Sequence, residues 1–141
     1  MNSSQRIRVA VVDDDESLCR SLSRFLRAAR FEPIAYPSAE AFLADAEHPK
    51  FDCLLLDVHF DGMSGLDLSH RLAALKDSTP IVFITALDDP HVRVQAESSG
   101  CAGFLRKTDA GEDVLAAIRR AVGQEASDAA GNVEKNPTSF I

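Results

Sequence analysis

The stretch Phe51-Asp52-Cys53-Leu54-Leu55-Leu56-Asp57 sets the reading of the whole chain. From Phe51 to Leu56 it is nearly all apolar, as a strand buried on both faces should be, and it stops at an acid. Other short apolar runs stand before and after it. Arg8 to Val12 is rich in β-branched residues and stops at Asp13-Asp14-Asp15. Phe31 to Tyr36 reads as a short strand before Pro37, Pro80 begins Ile81-Val82-Phe83-Ile84, and Cys101 to Arg106 forms a fifth run.

Amphipathic segments separate these runs. Glu16 to Arg30 carries Leu18, Leu22, Phe25, Leu26 and Ala29 at helical spacing. Ser38 is placed to cap a helix through Ala46 with Ala41 and Phe42 inward, and Ser64 to Lys76 carries Leu66, Leu68, Leu72 and Leu75. Asp89-Pro90 starts a helix that reaches Ser99 and stops at Gly100; Asp109 opens a last one through Val122, with Val114, Leu115 and Ile118 inward. Five repeats of strand then helix predict an α/β fold, a parallel sheet with helices on both faces. Crossovers are right-handed, which restricts connectivity without giving strand order. Residues 1–123 are expected to form one domain, and 124–141, with Gly, Asn, Pro, Ser and charge in no period, a flexible tail.

Bulk properties bound the function. The 141 residues suit a single domain, with 45% hydrophobic and 26% charged residues in ordinary balance. A net charge of −7 argues against direct nucleic-acid binding, which wants a basic face. No apolar stretch reaches the roughly 20 residues of a membrane span. Cys19, Cys53 and Cys101 are far apart and lack CxxC spacing, so neither a zinc site nor a redox pair is indicated, and Cys53 reads as a small core hydrophobe. Reduced thiols and a polar start, Met1 to Arg6, point to the cytoplasm. His48, His59, His70 and His91 are scattered, with no metal-ligand spacing, and are expected to be solvated.

In open parallel sheets, sites lie at the carboxyl ends of the strands. There the first run delivers Asp13, Asp14 and Asp15, the third Asp57, the fourth Thr85 and the fifth Lys107. Singly, each has an ordinary reading: a loop acid, a strand threonine, a solvated lysine. Together they place a carboxylate cluster beside one hydroxyl and one cation. Clustered carboxylates repel, and a hard divalent cation such as Mg²⁺ relieves the repulsion through oxygen ligands. A carboxylate such as Asp57 is then set to attack phosphorus and form an aspartyl phosphate, with Lys107 and Thr85 on the remaining phosphoryl oxygens.

Val11-Val12-Asp13-Asp14-Asp15, Leu54-Leu55-Leu56-Asp57, Ile84-Thr85-Ala86 and Gly103-Phe104-Leu105-Arg106-Lys107 resemble, in order and spacing across residues 6–123, the motifs of response-regulator receiver domains. The resemblance implies the flavodoxin-like strand order 2-1-3-4-5. It implies Asp57 as phosphoacceptor, and Asp13, Asp14, Asp57 and the backbone carbonyl of His59 as Mg²⁺ ligands. Lys107 would pair with the phosphoryl group, the Ala86 amide would donate to it, and Thr85 and Phe104 would form the switch. It further implies a histidine kinase or phosphotransfer protein as donor and an unidentified protein downstream. The output face would comprise the fourth helix, fifth strand and fifth helix, and dimerisation on phosphorylation through that face stays open.

The chain departs from the family pattern in places. Phe60-Asp61 stands where a Met-Pro pair is frequent, and Thr108 follows Lys107 where a cis proline is usual. A cis bond without proline costs about 3 kcal/mol, so the Lys107–Thr108 bond is open between trans and strained cis. His59 and Leu87 stand where members tune phosphoryl lifetime. Two other functions compete. In a haloacid-dehalogenase-like phosphatase Asp13-Asp14-Asp15 would supply the D-x-D, but no acidic pair follows Lys107, there is no cap domain, and Asp57 is left unexplained. A phosphorylation-independent interaction module would not need the full acceptor and metal set seen here. Residues 124–141 are too few for a DNA-binding output domain, leaving a stand-alone receiver or a piece of a longer regulator.

Overall fold

The computed structural model describes residues 6–45, 47–58, 63–86 and 90–123. Five strands, β1 (Arg8–Val12), β2 (Glu32–Tyr36), β3 (Cys53–Asp57), β4 (Ile81–Thr85) and β5 (Gly103–Arg106), pair in parallel in the order β2-β1-β3-β4-β5. Between and after them run α1 (Glu16–Ala28), α2 (Ala39–Ala44), α3 (Gly65–Ala74), α4 (Pro90–Ser98) and α5 (Gly111–Ala121). The fold is the flavodoxin-like one that the motif resemblance implies.

Strand alternation divides the core in two. Val9, Val11, Cys53, Leu55, Val82 and Ile84 face Leu26 of α1 and Val114 and Ile118 of α5. Ala10, Val12, Leu54, Leu56 and Phe83 face Phe42 of α2, Leu68 and Leu72 of α3, and Ala96 of α4. Both faces of β3 are therefore covered, which is why its sequence is continuously apolar.

Helix ends are where the sequence reading slips, for local reasons. The first helix stops at Ala28, short of Arg30, because Arg30 turns to φ 73. Its N–H then donates to the Arg27 carbonyl and that of Phe31 to Leu26, closing the last turn. The same closure at Lys76 (φ 61) ends α3 short of the expected Lys76, and Leu75 stands outward, 66% exposed. Helix α2 stops at Ala44, capped by Ser38 as expected, and Ala46 lies outside the described residues. Asp89 and the tail at 124–141 also lie outside them.

Two further expectations are corrected. Asp109 does not cap α5; Ala110 is the cap residue and no side chain accepts there. His48 is not simply solvated, since its ring stacks on Phe42 at 5.1 Å and lies 5.2 Å from Phe51. The edge strand β2 carries a proline. Glu32 N–H donates to Ile7 and the Tyr36 carbonyl accepts from Asp13, so the alternation of a parallel ladder turns the main-chain groups of Pro33 and Ala35 toward the open edge.

Candidate functional site

Strands β1 and β3 are neighbours although β2 lies between them in sequence. Connections leave their carboxyl ends in opposite directions, opening a crevice at the switch point. Asp13 follows β1 and Asp57 ends β3, so both acids stand at that crevice, 1% and 3% exposed. Thr85, ending β4, is fully buried, and Lys107 arrives just beyond β5.

The acidic triplet divides its work. Asp13 turns inward: one oxygen accepts the Asp15 N–H at 2.8 Å, while its carbonyl accepts the Cys19 thiol at 3.2 Å. Asp14 is exposed. Asp15 is the N-cap of α1 and accepts the Leu18 N–H at 3.1 Å. The positive end of α1 thus lies beside the acids. One oxygen from each of Asp13, Asp14 and Asp57 lies within 4.8 Å of the others.

Lys107 Nζ is 2.9 Å from Asp13 Oδ2 and 3.4 Å from Asp57 Oδ2. Burial works against its charge, but its contact with Asp13 and the charges of Asp57 and Asp13 outweigh that, and its amine is held above the ordinary lysine value. The Asp13 Oδ2 atom is buried and meets no hydrogen-bond geometry, so Lys107 answers it by charge alone. Among the described residues, three carboxylates stand against one ammonium. That surplus, the unsatisfied oxygen and the all-oxygen donor set fit a small divalent cation.

The backbone around Asp57 is tightly placed. Val58 N–H donates to Ile84, and Gly65 N–H to the Val58 carbonyl at 3.0 Å. A Cβ on Gly65 would stand 2.1 Å from the Asp57 carbonyl oxygen, so α3 is seated directly on the strand end. Ser64 and Asp67 form a reciprocal cap that fixes this start. Glu40 of α2, not singled out in the sequence, accepts the Met63 N–H at 3.0 Å, which holds its carboxyl below the usual range. A lone acid in the first turn of a helix carries no sequence signal of so distant a partner.

Of the remaining expected residues, Phe104 is half-buried under the Arg93 guanidinium, 5.3 Å from the ring centre. Ala86 is exposed at the mouth of the crevice. No described peptide bond is cis, so Lys107–Thr108 is trans. His59, Phe60, Asp61 and Leu87 lie outside the described residues.

A family model, the response regulator receiver domain, matches residues 9–119. The response regulator protein TmoT of Ectopseudomonas mendocina is 37% identical over 122 residues, 86% of this chain and 55% of TmoT. The transcriptional regulatory protein FixJ of Rhizobium meliloti is 34% identical over 113 residues, 80% of this chain and 55% of FixJ. The chain thus spans about half the length of such relatives. A crystal structure of FixJ-N superposes with a TM-score of 0.78 at 34% identity, covering 84% of this chain and 95% of the other. The chemotaxis protein CheY4 of Vibrio cholerae gives 0.76 at 25% identity, with 83% and 99% covered.

Proposed function

The chain belongs to the response-regulator receiver family of two-component systems, and from that premise we propose that Asp57 accepts a phosphoryl group from a phosphohistidine of a histidine kinase or phosphotransfer protein. The observation that carries this reading is the pairing of buried Asp57 with Lys107 at 3.4 Å beside two further carboxylates. A carboxylate oxygen of Asp57 forms the new O–P bond as the donor's P–N bond breaks. The donor nitrogen keeps the bonding pair and, with its other nitrogen protonated, neutral imidazole leaves.

Asp13, Asp14, Asp57 and the His59 carbonyl would hold Mg²⁺. When bound, the ion supplies the positive charge that lets an anionic donor approach the acids. Lys107, already charged and aimed at Asp57, neutralises a second phosphoryl oxygen, and the Ala86 amide donates to another. Thr85 turns its hydroxyl toward the group and vacates space beside β5. Phe104 moves inward, and α4, β5 and α5 present a changed surface to a downstream protein or a second copy. Such a switch needs the phosphoryl group to favour one packing, and its contacts to Thr85 and Lys107 provide that difference.

Incubation with acetyl phosphate and Mg²⁺, followed by peptide mapping, tests the acceptor. Label on Asp57 that vanishes in Asp57→Asn is the expected result. Label on Asp13, or label that survives Asp57→Asn, would overturn the assignment and favour phosphatase-type chemistry.

A further inference from the structure

We infer that Asp109 is a positioning residue for Lys107, closing the turn that carries the lysine into the site; this rests on the function proposed for Asp57. The chain leaves β5 with Lys107 N–H donating to the Thr85 carbonyl at 2.8 Å, one residue beyond the strand. Parallel-ladder alternation then turns the Arg106 N–H away from β4, toward the open edge of the sheet. The Asp109 carboxylate takes that donor: Oδ2 accepts the Arg106 N–H at 2.9 Å. Asp109 N–H in turn donates to the Arg106 carbonyl at 2.9 Å, and the Arg106 Nε stands 3.9 Å from Oδ1.

Arg106 and Asp109 therefore clasp each other across a tight turn with Lys107 and Thr108 at its centre. The clasp is needed because the Lys107–Thr108 bond is trans and Thr108 is exposed, so no ring stiffens this turn. Lys107 reaches its carboxylates on a four-carbon stem with many rotamers. Its delivery depends on where its Cα stands, and the Cα is fixed by the Thr85 bond on one side and the clasp on the other. Asp109 also spends its carboxylate here and not on α5, which starts at Ala110 without a side-chain cap.

The test is the rate of acetyl phosphate labelling of Asp57, with Mg²⁺, in the full chain. Asp109→Ala is expected to slow it about tenfold, in keeping with the cost of sub-ångström to ångström misplacement. Asp109→Asn keeps an oxygen acceptor for Arg106 N–H and is expected within about twofold of wild type. A charge effect on the donor would instead make the two variants alike. In a Lys107→Met background, Asp109→Ala is expected to change nothing further, since the residue it positions is gone; a merely structural loss would add its full factor there. Circular dichroism confirms that each variant is folded. Should Asp109→Ala unfold the chain, Asp109→Ser against Asp109→Asn gives the same comparison. Equal labelling of Asp109→Ala and wild type, or a full tenfold effect in the Lys107→Met background, overturns the inference. Absence of any label on wild-type Asp57 would instead overturn the proposed function.

Discussion

Replacing Gly65 with alanine tests how α3 and β3 together place Asp57. The new methyl carbon would start 2.1 Å from the Asp57 carbonyl oxygen, 3.0 Å from its carbon and 3.1 Å from Val58 Cα. A comfortable carbon–oxygen approach is about 3.3 Å. The helix start or the strand end must therefore move by about 1 Å. Neither is free: Asp57 lies in the ladder with β4, and Gly65 is pinned by its bond to Val58 and by the Ser64–Asp67 cap. Forced overpacking costs about 1–3 kcal/mol, and losing the Gly65–Val58 hydrogen bond adds about 1 kcal/mol. A total near 3 kcal/mol is a large part of the roughly 5–15 kcal/mol that stabilises a domain. The melting temperature should fall by about 10 °C or more. Thermal unfolding followed by circular dichroism measures it. Gly100→Ala serves as control, because that glycine has φ +81 and no atom within 4 Å of its added Cβ, so only the left-handed backbone is strained, costing about 1–2 kcal/mol. If Gly65→Ala melts within a degree of wild type, the close seating of α3 on Asp57 is wrong.

Further outcomes follow from the same geometry. Mg²⁺ affinity, titrated by NMR, should drop at least tenfold in Asp14→Ala, and an unchanged affinity would place the metal elsewhere. Burial first, then the charges of Asp13 and Asp15, push the Cys19 thiol up to about 11, and burial with Asp52 pushes Cys53 up to about 12. Iodoacetamide at pH 8 should thus modify native Cys19 about a hundredfold more slowly than in urea; equal rates would refute its burial. The same raised thiol adds stability that is full below about pH 9 and is lost as pH rises from 9 toward 11, which urea melts at pH 8 and 10.5 will show. With beryllofluoride as phosphoryl mimic, amide shifts should change around Phe104 and along Pro90–Ser98; changes confined to the Asp13, Asp14 and Asp57 loops would sink the proposed switch.

The sheet was legible because burial on both faces leaves an unbroken apolar run, as in Cys53–Leu56, and because each polar residue of interest follows such a run directly. Strand order was not in the pattern; it came with the motif resemblance. What escaped notice depends on competition between local partners. Asp109 had two neighbouring sets of N–H donors, those opening α5 and that of Arg106, and spacing does not say which it satisfies. Leu75 keeps helical spacing yet is thrown outward because the turn ends at Lys76 one residue on. His48 bonds locally to Pro49, but its ring meets Phe42 and Phe51 only once α2 and the start of the third strand run are packed, which spacing does not show.

Proline 33 has a consequence for how this sheet meets other chains. An exposed parallel edge is a template on which any extended segment can grow. On the β2 side the imino acid deletes one of the outward donors such a segment would need, and on the β5 side the Asp109 carboxylate already occupies another. Each border thus loses one outward donor by different chemistry, one by a missing hydrogen and one by an occupied one. A strand adding at either border would meet one donor fewer than a fully open edge offers, which disfavours strand-by-strand growth of this sheet.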